Sequence, residues 1–242
     1  MNYFITGTDT GVGKTLASCA LLHGFAAQGK SVVGMKPVAA GGSSRSNGEP
    51  AGVPLAGCAD GGQHDDVRQL RAASNVLASG GQINPYCFAP AVAPQLAAQF
   101  VGVSIDFARI AESFSELNAQ ADVVIVEGVG GFRVPLNEEQ DSADLAEQLG
   151  LPVILVVGMR LGCQNHALLT AEAIAARGLT LAGWVANVPE AGMAMLNENI
   201  AALRQRISAP LLGVVPCQAQ PDAREAATFL NLALLEQADL HD

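Results

Sequence analysis

Positive charge is scarce in this chain, and lysine almost absent. Of 242 residues only 13 are Lys or Arg against 23 Asp or Glu, which gives a formal net charge of −10 and a pI near 4.7. Nucleic acids and anionic membranes recruit clustered cations, so this balance argues against both as partners. Any phosphate bound here has to be held locally. Lysine occurs three times, as Lys14, Lys30 and Lys36, and two of these follow predicted strands near the N-terminus.

Paired cysteines are also missing. Cys19, Cys58, Cys87, Cys163 and Cys217 are scattered with no C-x-x-C pair, and a chain of this size needs no stapling, so reduced thiols and a cytoplasmic location are expected. No apolar run approaches the ~18 residues of a membrane span. The opening MNYFITGTD has neither the cationic start nor the apolar stretch of an export signal. What remains is a chain that is 50% hydrophobic and only 15% charged, rich enough in apolar residues for a sizeable core. A single domain over 1–242 is expected.

Hydrophobic patterning predicts a strand at Asn2–Thr6, a glycine-rich loop at Gly7–Gly13, a helix over 14–28 and a second strand over 31–36 closed by Pro37. Residues 39–63 are rich in Gly, Ser and Pro without a sustained period and read as a long surface loop or partly mobile lid. Helices are expected at 65–73, 93–100 and 105–119. Short apolar runs without alternation at 122–126, 152–157, 181–186 and 211–215 read as strands covered on both faces. Helices near 142–149, 164–177, 193–206 and 223–236 separate or follow them. This alternation predicts an α/β fold: a doubly wound, mainly parallel sheet flanked by helices, with ligands at the strands' C-terminal edge.

Gly7-Thr8-Asp9-Thr10-Gly11-Val12-Gly13-Lys14-Thr15 follows a predicted strand and opens a predicted helix, the context that a P-loop requires. The strict pattern places Gly six positions before the Lys; here Thr8 stands there, with Gly7 one residue earlier. In such a loop the backbone N–H groups of Gly11 to Thr15, Val12 included, cradle phosphates at a helix N-terminus, Lys14 adds a point charge and Thr15 reaches Mg²⁺. A P-loop alone leaves function open. Two further strand ends carry charge. Lys36-Pro37-Val38 brings a second lysine to the nucleotide if the first two strands lie close together, and is otherwise a solvated surface lysine. Glu127, followed by Gly128-Val129-Gly130-Gly131, places a carboxylate at a strand's C-terminal end, where it suits Mg²⁺. Asp66 is either a further oxygen ligand or an ordinary carboxylate of a helix first turn. His166, Cys163 and Trp184 read as packing residues.

Taken together, GTDTGVGKT (7–15), KPVA (36–39), NPYCFAPAVAP (84–94), VEGVGGF (126–132), PVILVVGMRLGCQNHALLT (152–170), AGWVAN (182–187) and PLLGVVP (210–216) resemble the dethiobiotin synthetases along nearly the whole chain. The resemblance implies a P-loop NTPase fold and a homodimeric ligase. Its reaction converts 7,8-diaminononanoate, CO₂ and ATP to dethiobiotin, ADP and phosphate, with Mg²⁺. It further implies that Gly11, Gly13, Lys14 and Thr15 bind phosphates and metal, with Asp66 and Glu127 as further Mg²⁺ ligands. Lys36 would contact carbamate and γ-phosphate, Thr10 would approach the diamine, and Asn187 would read the adenine. Asn165 would hold the substrate carboxylate across a dimer interface. The alternative for Asn187 is a turn residue before Pro189, and for Asn165 a helix N-cap. In the family a serine that touches substrate is common where Ala40 stands, so the hydroxyl contact is either lost or supplied by Ser43 or Ser44. The 41–63 loop looks longer than in the family, which leaves Asp65 in competition with Asp66. A histidine frequent near Pro94 is replaced by Gln95. A switch ATPase of the partitioning type shares the strand–loop–helix, but its signature lysine would fall at Asp9.

Overall fold

The computed structural model describes residues 1–41, 55–56 and 64–236. Ser43, Ser44 and most of the 41–63 loop therefore lie outside the described residues. In chain order the elements are β1 (Asn2–Gly7), α1 (Lys14–Ala27), β2 (Val32–Met35), β3 (Val38–Ala40), β4 (Leu55–Ala56), α2 (Asp65–Ala73) and α3 (Gly80–Ile83), then β5 (Tyr86–Phe88), α4 (Pro94–Phe100), α5 (Phe107–Asn118), β6 (Val123–Glu127) and α6 (Ser142–Leu149). They continue as β7 (Val153–Gly158), α7 (Cys163–Ala176), β8 (Leu181–Asn187), α8 (Leu196–Arg204), β9 (Leu211–Val215), α9 (Ala223–Ala227) and α10 (Ala233–Glu236).

Six strands form one all-parallel sheet in the order β2-β6-β1-β7-β8-β9. The expected doubly wound α/β architecture is present. On β1, Tyr3 and Ile5 pack with Leu21, Leu22 and Phe25 of α1 and with Leu235 of α10. Phe4, pointing the other way, packs with Ile110 and Leu117 of α5 and Leu145 of α6. A strand covered on both faces has no polar side to alternate with, which is why β6 and β7 are buried at every residue.

One expectation about strand order needs correcting. The condition set for Lys36, that β1 and β2 lie close together, is not met by adjacency, because β6 runs between them. The end of β2 therefore sits beside the end of β6, and the end of β6 beside the phosphate loop.

Three short strands escaped the sequence reading and make a second sheet, with β5 parallel to β3 and antiparallel to β4. The loop read from residue 39 onward thus begins as a strand. Asn84, fully buried, fastens this sheet to the main one by donating its Nδ2 to the carbonyls of Lys36 at 2.6 Å and Tyr86 at 2.9 Å. Lys36 N–H donates to Ile83 O at 2.8 Å. The backbone on both sides of Lys36 is thereby fixed.

The continuous helix expected over 223–236 is also two pieces, α9 and α10. The break lets Leu230 form a bridge to Gly213 of β9. The contact is so close that a Cβ on Gly213 would lie 2.0 Å from the Phe229 carbonyl oxygen. This long-range approach overrides local helical periodicity.

Candidate active site

The sheet's C-terminal edge gathers Asp9, Lys14, Lys36, Asp66 and Glu127 around one cavity. Between β1 and α1 the chain turns through Gly11 and Gly13, both at positive φ (74° and 90°), a backbone state that costs other L-residues about 1–2 kcal/mol. Gly13 is the residue preceding α1, and no side chain caps the helix. The unsatisfied N–H groups of the first turn thus face the loop. Lys14 is nearly buried, 7% exposed, and donates to Asp9 O at 3.0 Å. Asp9 Oδ1 in turn accepts the Thr10 N–H at 2.7 Å, while its other oxygen pairs with Arg160 in the β7–α7 connection.

Burial, and then the neighbouring Lys36 ammonium, lowers the Lys14 pKa to about 8. Below that pH the ligand-free protein already carries the proton that an anionic ligand needs, whereas above it binding has to take a proton up. Affinity for ATP is therefore expected to fall as pH rises above about 8, approaching tenfold per pH unit. Calorimetric titration across about pH 7 to 9 measures this, and a flat profile would mean that Lys14 does not face the phosphates.

At the end of β6, Glu127 is fully buried. Its Oε1 accepts Lys36 Nζ at 2.6 Å and the Thr15 hydroxyl at 2.9 Å, while Oε2, equally buried, has no hydrogen-bond partner among the described residues. Lys36 is 3% exposed; its Nζ also donates to Gly128 O at 3.2 Å and lies 3.0 Å from Asp66 Oδ2. It is not a solvated surface lysine. Burial alone would lower its pKa, but the two carboxylates override that and raise it. Asp66 feels burial first and Lys36 second, with the net shift downward.

Asp66 sits in the first turn of α2 and turns inward, while Asp65 is 78% exposed and pairs with Arg68 at 2.8 Å. Of the two, Asp66 alone lines the cavity. His64, just before α2, places Nε2 3.2 Å from Ala40 O and Nδ1 3.8 Å from Asp66 Oδ2.

A cavity of about 830 Å³ lies over these groups, lined among others by Thr10, Gly11, Gly13, Lys14, Thr15, Lys36, Ala40, Asp66 and Glu127. Ala91 to Pro94, before and at the start of α4, and Val129 to Gly131 with Val134 complete its lining. The loop after β6 is pinned from behind: Ser142 Oγ donates to Phe132 O at 2.6 Å and accepts Val134 N–H at 3.1 Å, and Arg133 pairs with Asp141.

The side chains of three sequence-predicted residues do not line this cavity. Val12 is 1% exposed and packs inward against Gly7 and Gly158. Asn187 ends β8 behind the loop and is not a turn residue; it is 4% exposed, with Nδ2 donating to Val12 O at 2.9 Å. Asn165 lies inside the first turn of α7, exposed and away from the cavity, and the N-cap position belongs to Gly162. His166 is exposed rather than packed, while Cys163 and Trp184 are buried as expected.

Comparison with known proteins now bears on this arrangement. A family model described as an AAA domain matches residues 1–225. An ATP-dependent dethiobiotin synthetase from Aromatoleum aromaticum is 56% identical over 95% of this chain and 96% of its own. Those of Nitrosospira multiformis and Ralstonia nicotianae are 52% and 50% identical, each with at least 95% of both chains covered. The chain belongs to the dethiobiotin synthetase family. Among solved structures, the septum site-determining protein MinD of Pyrococcus horikoshii, complexed with Mg-ADP, aligns with 99% of this family member at a TM-score of 0.52 and 16% identity. The MinC:MinD complex of Aquifex aeolicus gives 0.55 at 12% identity. Such identities speak for the P-loop NTPase fold alone.

The sequence reading missed Arg160, His64 and the 91–94 wall. Arg160 and His64 are single polar residues beside loops, and nothing local says that one pairs with Asp9 or that the other spans Ala40 and Asp66. The wall is apolar, with no chemical signature; only its place within the NPYCFAPAVAP block distinguished it.

Proposed function

We propose that this member of the dethiobiotin synthetase family closes the ureido ring of dethiobiotin at the cavity between the phosphate loop and Lys36. It is an ATP-dependent ligase of biotin biosynthesis. The observation that carries the residue assignment is the convergence of Lys14, Lys36, Thr15, Asp66 and Glu127 on one cavity in a chain with three lysines.

The donor set suits Mg²⁺. A threonine hydroxyl and two carboxylates are hard oxygen ligands, and the buried, unpartnered Glu127 Oε2 is an acceptor in want of a cation. Two carboxylates and a hydroxyl leave the remaining coordination positions to phosphates and water. Bound there, the ion would neutralise charge on the β- and γ-phosphates. Thr15, Asp66 and Glu127 would hold it.

In the reaction one amine of 7,8-diaminononanoate takes up CO₂ as a carbamate, whose oxygen attacks the γ-phosphorus as the bond to ADP breaks. The second amine then attacks the carbamic carbon; phosphate leaves and the ring nitrogen loses its proton. A carbamate approaching a polyphosphate meets like charge, and Lys14 and Lys36 stand where that charge accumulates. Thr10, on the cavity wall, approaches the diamine. The backbone of Gly11, Val12 and Gly13 orients the phosphates, and Asn187 serves the adenine. Ala40 lines the substrate side without a hydroxyl to offer. Asn165, exposed on α7, holds the substrate carboxylate of a second subunit in a homodimer. Residues 1–242 act as one domain, and the unpaired spacing of the cysteines favours the cytoplasm. Among the described residues no helix is long and apolar enough to cross a membrane.

Phosphate release with ATP, Mg²⁺, bicarbonate and 7,8-diaminononanoate, omitting each in turn, tests the assignment. Release that ignores the diamine would overturn it, and a monomer in sedimentation analysis would remove Asn165. For Thr15→Val, volume and helix start are kept while the hydroxyl is lost. The Mg²⁺ concentration for half-maximal activity is expected to rise about tenfold or more. If it stays put, Thr15 is merely a helix-start residue.

A further inference from the structure

The Lys36 ammonium occupies the place that a cation would want. Glu127 Oε1 and Asp66 Oδ2 lie 2.6 and 3.0 Å from Nζ, and the same Oε1 takes the Thr15 hydroxyl. All three side chains assigned to the metal therefore already converge on or beside this ammonium. At 3% exposure it screens two carboxylates that would otherwise face each other in a poorly solvated cleft. The Lys36 backbone is pinned by Ile83 and Asn84, but its four-carbon stem is flexible, and the side chain borders the cavity.

We propose that Lys36 and the divalent cation are alternative occupants of one carboxylate cradle, so that metal entry releases the ammonium from Glu127 and Asp66 into the cavity. The inference rests on the metal reading above. Its consequence is order: the lysine that would meet the carbamate becomes free only once a cation has replaced it. Without metal, Lys36 keeps the carboxylates neutralised and stays out of the reaction.

With three lysines, acylation of each can be followed by mass spectrometry, and exposed Lys30 serves as the reference. The probe is Mn²⁺ alone, its binding followed by electron paramagnetic resonance; binding that survives Glu127→Gln is elsewhere and counts as none. In the wild-type protein, saturating Mn²⁺ is expected to raise Lys36 acylation severalfold relative to Lys30, since an amine released into the cavity is more exposed than one 3% exposed in the cradle. Lys36→Met is expected to bind Mn²⁺ about tenfold or more tightly, its competitor being gone. Mn²⁺ that binds with Lys36 acylation flat or reduced overturns the exchange and leaves the metal reading standing. Binding to Lys36→Met but not to the wild type supports it, as the ammonium then holds the cradle outright. Weaker binding to the variant overturns it, and so does an ion that binds neither protein, since the ammonium then has no competitor for the cradle.

Discussion

Lys36→Gln is expected to lower turnover about a hundredfold or more, the effect of removing one preorganised electrostatic stabiliser, while ATP affinity at saturating Mg²⁺ changes little. The surroundings of Lys36 add a second, separable effect. Lys36 is buried with Glu127, and its removal strands that fully buried carboxylate beside Asp66. Breaking a buried pair from one side costs about 3–5 kcal/mol; the lower end applies because Asp66 is 30% exposed and can still be hydrated. For a chain of this length, Tm without metal should drop by about 6–12 °C. Mg²⁺ should restore part of that loss, because the cation stands in for the missing ammonium. Unchanged turnover would remove Lys36 from the mechanism. An unchanged Tm would mean that the carboxylates do not depend on it.

The origin of that pair shows what the sequence could disclose. Each partner was visible as a charged residue at a strand end, because a parallel sheet puts its ligands there. That they touch was not visible. Lys36 and Glu127 are 91 residues apart, and they meet because β6 inserts between β1 and β2. Strand order is decided by packing across the whole sheet, and the apolar runs of β1, β2 and β6 carry no register of their own. The phosphate loop was legible for the opposite reason, since its glycines, lysine and threonine act on neighbouring backbone. β3, β4 and β5 were lost because strands of two or three residues show no period. Their stability comes from pairing and from the buried Asn84 cap on Lys36 O and Tyr86 O.

Gly13→Ala is expected to be the most damaging change in the phosphate loop, and comparison with Gly11 isolates the cause. Both residues have positive φ, so alanine at either carries about 1–2 kcal/mol of backbone strain. At Gly11 the new Cβ would meet nothing within 4 Å, whereas at Gly13 it would lie 2.2 Å from Asn187 Nδ2 and 3.0 Å from its Cγ. Asn187 cannot simply swing aside, being 4% exposed and bonded to Val12 O. The clash therefore adds about 1–3 kcal/mol of overpacking and pushes the loop off the geometry that phosphates need, where misplacement by about 1 Å costs roughly a hundredfold in rate. Thermal melts should rank the wild type above Gly11→Ala, and Gly11→Ala above Gly13→Ala. Adding Asn187→Ala to Gly13→Ala removes the obstacle, so the double variant should be more stable than the sum of the two single losses allows, by about 1 kcal/mol or more. Strict additivity would show that backbone strain alone is responsible and that the loop does not lean on the end of β8.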